Sequence, residues 1–131
     1  MSHPSIRRER RTTRRSLRAT LRRRAAGTRL AASCHRRPRS LATVAIAAGV
    51  DKTTASGCAN GLRTVAKRCG IVPAETARTR RTVTGGRARK TRTVAHYTLG
   101  QVCTLLGSYK PRKAEYVAAV ALIAAFTTNA A

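Results

Sequence analysis

The chain has 131 residues, a formal charge of +24 at neutral pH, 3% aromatic residues and no Trp. That length holds one small domain with appendages, or at most two very small modules. A charge excess of this size calls for a polyanionic partner: DNA, RNA or, less readily, an anionic membrane surface. With so few aromatics the core must be built from Ala, Val, Leu and Ile. Because Ala buries little area, stability is expected to be modest or shared with a partner. Arg far outnumbers Lys, which suits phosphate recognition by a planar, forked cation. Any Arg- and Ala-rich coding composition produces the same bias, so the helical periodicity described below carries the argument that the chain folds.

Residues 1–40 hold 14 Arg against Glu9, more than half of the net charge. The opening MSHPSIRRERR is expected to be disordered, since it repels itself and has almost no apolar side chain to offset the cost of ordering. From Thr12 to Ala26 the composition favours a helix. That helix would either dock through Leu17, Leu21 and Ala25 or form only on a nucleic acid. No apolar core segment follows the N-terminus, so no secretory signal is expected. The Arg-rich, acid-poor opening also resembles an organelle transit peptide, although a basic nucleic-acid arm explains the same residues. His35 to Pro38 should interrupt the chain.

Leu41 to Gly70 reads as two helices joined at Gly49-Val50-Asp51. Ser40 can cap the first helix, whose packing stripe is Val44, Ala45 and Ala48. Asp51 can cap the second through its carboxylate. Ala55, Cys58, Ala59, Leu62, Val65, Ala66 and Cys69 recur at spacings of three and four, the period of a helix with one buried face. Gly70 suits the left-handed residue that ends such a helix. Its opposite face carries Lys52, Thr53, Ser56, Asn60, Arg63, Thr64 and Lys67, with no acid among them. Arg and Asn can pair bidentately with guanine and adenine, while Thr, Ser and Lys reach phosphates.

The run VAIAAGVDKTTAS resembles the A-x-x-x-G-V-[polar]-x-x-T hairpin of repressor-type helix-turn-helix domains. The resemblance places Ala45 and Gly49 where the two helices approach closely and makes residues 52–69 the recognition helix. Ala55 and Cys58 stand where larger aliphatics are common, and Gly57 lies inside the helix, so a loosely packed pair is expected. An ordinary helical pair within a core is the plainer alternative.

After Ile71-Val72-Pro73 the texture changes. ARTRRTVTGGRARKTRTVAHYTL reads as two strands around a Gly85-Gly86 reversal, because a Gly pair accepts positive φ without steric cost. Ala95, Tyr97 and Leu99 alternate as an inward face would. Arg78, Arg80, Arg81, Arg87, Arg89, Lys90 and Arg92 flank the reversal. A helix-turn-helix followed by a basic β-hairpin is similar to the winged-helix family, and T-x-x-x-Y-T-L is similar to its second wing strand. The resemblance covers residues 40–99 and implies that the wing, about 78–99, meets phosphates or the minor groove through Arg87, Arg89, Lys90 and Arg92. A flexible Arg-rich loop is the alternative reading.

GQVCTLL (100–106) is expected to be a short closing helix broken by Gly107-Ser108, with Pro111 as the first residue of the next. From Arg112 to Phe126 apolar residues wrap most of the circumference. Such a helix must be buried in its own domain or against a second copy, so a homodimer through residues 112–126 is one expectation and packing on its own domain the other. It is too short to span a bilayer, and no stretch elsewhere is apolar enough. The tail, ending in Ala130-Ala131, resembles C-termini that bacterial tail-reading proteases recognise, and also any frayed end.

No catalytic constellation is visible. Glu9, Asp51, Glu75 and Glu115 are scattered, Gly85-Gly86 lacks the G-K-[ST] of a P-loop, and His96 has no acid or Cys partner in sequence. Cys34, Cys58, Cys69 and Cys103 fit no zinc spacing. Cys58 and Cys69 read as small buried hydrophobes of a reduced chain. The expectation is a mainly α chain with a small β-hairpin, divided into a basic arm (1–39), a winged helix-turn-helix domain (40–99) and C-terminal helices (100–131). It is expected to be no enzyme, to need no cofactor or metal, and to bind double-stranded DNA. The setting would be cytoplasmic and nucleoid-associated, as a transcriptional regulator of a bacterium, phage or plasmid. Alternatives are an RNA-binding or ribosome-associated basic protein, a plasmid replication-initiator fragment, and a nucleic-acid packaging protein.

Overall fold

The computed structural model describes residues 4–82 and 89–129. The first element corrects the sequence expectation. Instead of a disordered opening and a short helix, one 33-residue helix, α1, runs from Pro4 to Arg36, about 50 Å at 1.5 Å per residue. Nothing between Pro4 and Pro38 breaks it. Pro4 occupies the first helical position, where its missing N–H costs nothing. Thr12, Thr13, Thr20 and Thr28 donate their hydroxyls to carbonyls three or four residues earlier, so they do not compete for the helix's own amides. Nor does it dock as expected: Leu17 and Leu21 are 58% and 63% exposed, and Ala25 is exposed. Only the last turns touch the body, through buried Cys34 and the His35 ring, whose centroid lies 5.2 Å from that of Phe126.

Two capped helices follow, α2 (Leu41–Ala47) and α3 (Lys52–Cys69). The Ser40 hydroxyl accepts from the Thr43 amide at 3.3 Å, and Asp51 Oδ2 accepts from the Thr54 amide at 3.1 Å. Both helices end alike. The Gly49 and Val50 amides return to Ile46 and Ala45, and the Gly70 and Ile71 amides return to Lys67 and Ala66. The conformation this requires is left-handed, with φ +101° at Gly49 and +70° at Gly70. Ala45 is fully buried between the helices. Gly49 has open space where a Cβ would stand, so it is needed for its backbone angle and not, as the resemblance implied, for close approach.

A two-stranded antiparallel ribbon, β1 (Glu75–Thr82) and β2 (Arg89–His96), pairs Glu75 with His96 and Thr82 with Arg89. Beyond β2, Tyr97 exchanges both backbone hydrogen bonds with Arg39, at 3.1 and 2.9 Å. The returning strand is thereby tied to the residue just before the α2 cap. Helix α4 (Leu99–Ser108) opens with a capping box between Thr98 and Gln101, and Gln101 also donates to the Val72 carbonyl. It runs through Gly107 and Ser108, which were expected to break it. Helix α5 (Ala114–Thr128) starts three residues after Pro111, which is therefore not its first residue. Its length takes in Thr127 and Thr128 of the expected tail; Ala130 and Ala131 lie outside the described residues.

The core is small and aliphatic. Its largest fully buried side chains are Leu41, Leu62, Leu105, Ile123, Val44, Val102 and Cys58. On α5, Ala119, Ile123 and Thr127 are buried against the chain's own helices while Val117 and Leu122 are about half exposed. Cys69, in the last turn of α3, is exposed, contrary to expectation. Gly57, expected as a weak point inside the helix, lies against a side chain from outside the helical pair. A Cβ on Gly61 would stand 2.6 Å from the Tyr109 ring, and one on Gly57 would strike the Tyr116 hydroxyl. The two glycines form a bare strip on α3 that receives both tyrosines. Burial pushes the Tyr109 phenol up to about 12, with the neighbouring Cys58 thiol and Tyr116 adding to the shift. Burial also raises Cys58.

Candidate nucleic-acid interface

Helix α3 is an 18-residue rod whose circumference divides into three sides. One carries Ala55, Cys58, Ala59, Leu62, Val65 and Ala66 into the core. The second is the Gly57–Gly61 strip under the tyrosines. The third stays in solvent: Lys52, Thr53, Ser56, Asn60, Thr64 and Lys67 are exposed, and Arg63 at its margin is half-buried. No acid of α3 lies on this side, and Glu115 of α5 shares a cavity with Thr53 at its N-terminal end. Asp51, just beyond its N-terminal end, is engaged by the helix. Hydrogen bonds from the Thr54 hydroxyl and then the Thr54 amide hold its carboxyl below the usual range. Arg63 Nη1 donates to Asn60 Oδ1 at 2.7 Å, and the Thr64 hydroxyl donates to the Asn60 carbonyl at 3.1 Å. The Asn60 side-chain amide keeps its N–H groups free of these bonds, while its oxygen would have to exchange Arg63 for a base edge.

The hairpin stands beside this rod. Arg78, Arg80 and Arg92 are exposed. The backbones of Arg89 and Lys90 lie in β2, opposite Thr82 and Arg81. Arg87 and the expected Gly85-Gly86 reversal fall outside the described residues. A groove of about 300 Å³ separates the rod from the hairpin, and it brings together residues from three elements. Arg39, Ser40 and Thr43 come from the α2 entry, Arg63 from α3, and Thr79, Arg92, Val94 and His96 from the hairpin. Sequence reasoning selected Arg63 and Arg92 but missed Arg39, Thr79 and a groove role for His96. Their convergence depends on the Arg39–Tyr97 bridge, which no local pattern announces.

The basic arm expected over residues 1–39 carries a one-sided pattern that was not expected. Along α1, Arg7, Arg11, Arg14, Arg18, Arg22, Arg29 and Arg36 recur at intervals of three, four or seven, so they share one exposed side. Cys34 lies two residues before Arg36, about 200° round the helix, so the stripe faces away from the side that docks. The periodicity was legible in the sequence once the helix was extended beyond residue 26. Among the described residues no three His, Cys, Asp or Glu side chains gather as metal ligands would. No helix among them is long and apolar enough to cross a membrane. Comparison of the chain with family models, characterised proteins and solved structures gives no match.

Proposed function

We propose that this chain binds double-stranded DNA, laying the acid-free side of α3 into the major groove with the hairpin against the adjoining backbone. The observation that carries the reading is the bare third side of α3. An amphipathic helix ordinarily exposes mixed charge, yet this one presents hydrogen-bonding and cationic groups only, on a rod clamped on its two other sides. A rod about 10–12 Å across fits a groove about 12 Å wide. Asn60 and Ser56 are the central base-reading candidates. Lys52, Thr53, Thr64 and Lys67 reach backbone or base edges, and Arg92 with the neighbouring β2 cations meets phosphates. The α1 arginines supply sequence-independent attraction.

In its winged helix-turn-helix reading, residues 40–99 form the DNA-binding unit and the role is regulatory, in a bacterium, phage or plasmid. That role rests on the family resemblance, since a fold does not dictate its use. The test is competition between duplex DNA and folded RNA of equal length at fixed salt. The reading expects duplex DNA to win. Equal or better competition by folded RNA transfers the function to RNA, whose deep, narrow major groove excludes a helix like α3.

A further inference from the structure

The groove between α2, α3 and the hairpin has a property that packing alone does not explain. It collects three guanidinium groups, Arg39, Arg63 and Arg92, together with His96 and the hydroxyls of Ser40, Thr43 and Thr79. None of the chain's four acids lines it. The nearest in register, exposed Glu75, sits opposite His96 at the open end of the ribbon. Like charges gathered into one groove repel each other, and folding gains nothing from that convergence without an anion. Moreover, the Nε of Arg39 has no hydrogen-bond acceptor among the described residues and is closed to solvent, so it meets an anion in the groove only when the Arg39 side chain turns toward it. A buried, unpaired donor on a cation is costly, and such donors are ordinarily satisfied.

We propose that this groove is a discrete phosphate site: Arg39, Arg63 and Arg92 clamp one tetrahedral oxyanion, and the mutually bonded Ser40–Thr43 pair leaves one hydroxyl proton free to donate to it. Guanidinium forks from three elements suit a tetrahedral phosphate, whose non-bridging oxygens (two in a phosphodiester) each accept more than one hydrogen bond, better than they suit a flat carboxylate. Building on the DNA reading above, the occupant is a single backbone phosphodiester at the edge of the major groove that α3 enters. Arg63 thereby moves from the base readers to the clamp, in keeping with its half-buried position at the margin of the bare side. Free inorganic phosphate shares the chemistry and serves as the probe.

The test uses the full chain and the variants Arg39→Gln, Arg92→Gln and Arg78→Gln. Arg78 precedes Thr79, the cross-strand neighbour of Arg92, and therefore lies on the other face of the ribbon. In the first arm, phosphate replaces chloride at constant ionic strength. Phosphate should raise the wild-type Tm beyond the effect of chloride, and Arg78→Gln should retain that rise. At least half of it should be lost in Arg92→Gln, and likewise in Arg39→Gln if that variant folds. No phosphate-specific rise, or equal losses in Arg92→Gln and Arg78→Gln, overturns the site. In the second arm, duplexes carry one neutral methylphosphonate linkage at each position in turn. One linkage should weaken wild-type binding about tenfold or more, and that penalty should vanish in Arg92→Gln. A flat scan on a bound duplex defeats the clamp and leaves the DNA reading standing. A positive first arm without any duplex binding keeps the oxyanion site and defeats the DNA reading.

Discussion

Two glycines on helices show how the same residue type carries opposite consequences. Gly61 lies under the Tyr109 ring, and an added methyl would overlap it. Gly27, in the C-terminal third of α1, has nothing near its missing Cβ. Replacing a helical Gly by Ala ordinarily gains about 1 kcal/mol, while overfilling a packed site costs about 1–3 kcal/mol. Gly61→Ala should therefore lower overall stability by about 1 kcal/mol in denaturant titration. In a Tyr109→Ala background the same change should turn stabilising, because the ring is gone. Gly27→Ala should slow amide exchange through the C-terminal third of α1. A stabilising Gly61→Ala in the otherwise wild-type chain would contradict the tyrosine-over-glycine packing. In the sequence Gly57 looks like a defect because the residue that fills the space beside it, Tyr116, lies some sixty residues away.

Asp51 gives the helical pair its pH dependence. Its carboxyl is held below the usual range by Thr54, so it favours the folded state more when ionised. That contribution is fully present above the unfolded-state value, about 4, and is lost as the pH falls through the lower folded-state value. Asp51→Ala should lower Tm at neutral pH and flatten the acid side of the stability profile. Asp51→Asn, which can still accept from the Thr54 amide, should recover part of the neutral-pH Tm but not the acid slope.

At the level of elements, the second helix of the pair is the part most legible from local pattern. The span of α3, its Asp51 cap and its Gly70 terminus follow from apolar spacing and capping chemistry, both of which act within one or two turns. Both strands were likewise legible from Thr and Val content around a Gly pair. The failures have separate causes. The helix from Pro4 to Arg36 was cut short because its charge was weighed above its lack of any helix breaker. The start of α5 was misplaced because Pro111 can open a helix but need not. Periodicity puts Cys69 in line with the buried positions of α3, but it does not show whether a neighbour covers that position.

Helix α1 should be separable from the body it leaves. Only its final turns are packed, around Cys34, so deleting residues 1–28 removes almost no buried surface. The deletion should leave the Tm of the remaining body nearly unchanged. It should also lower the slope of log affinity against log salt by several units, since each phosphate contact contributes about 0.9. A large fall in Tm would mean that the arm stabilises the body after all. An unchanged salt slope would mean that its arginines touch no nucleic acid.

For the whole molecule, three basic surfaces have different tasks under the proposed function. The α1 stripe attracts polyanions without regard to sequence. The three-arginine groove fixes a phosphate, and so the register of the protein on the backbone. The bare side of α3 reads bases. Only the last of these distinguishes a sequence-reading protein from a polycation, and it was the feature most legible in the sequence, since an acid-free helix face is a local pattern. The groove was not legible, because its residues come from positions 39 to 96 and meet only through the bridge between Arg39 and Tyr97.

Selection of bound duplexes from a random pool at about 0.2 M salt, run in parallel with the wild-type chain and Asn60→Ala, tests that distinction most directly. The account predicts an enriched motif with the wild-type chain. It further predicts a loss of about 1–3 kcal/mol of discrimination at one base pair with Asn60→Ala, the other positions keeping their preference. A pool that stays flat for both proteins would contradict it, leaving bulk charge neutralisation as the whole of the interaction.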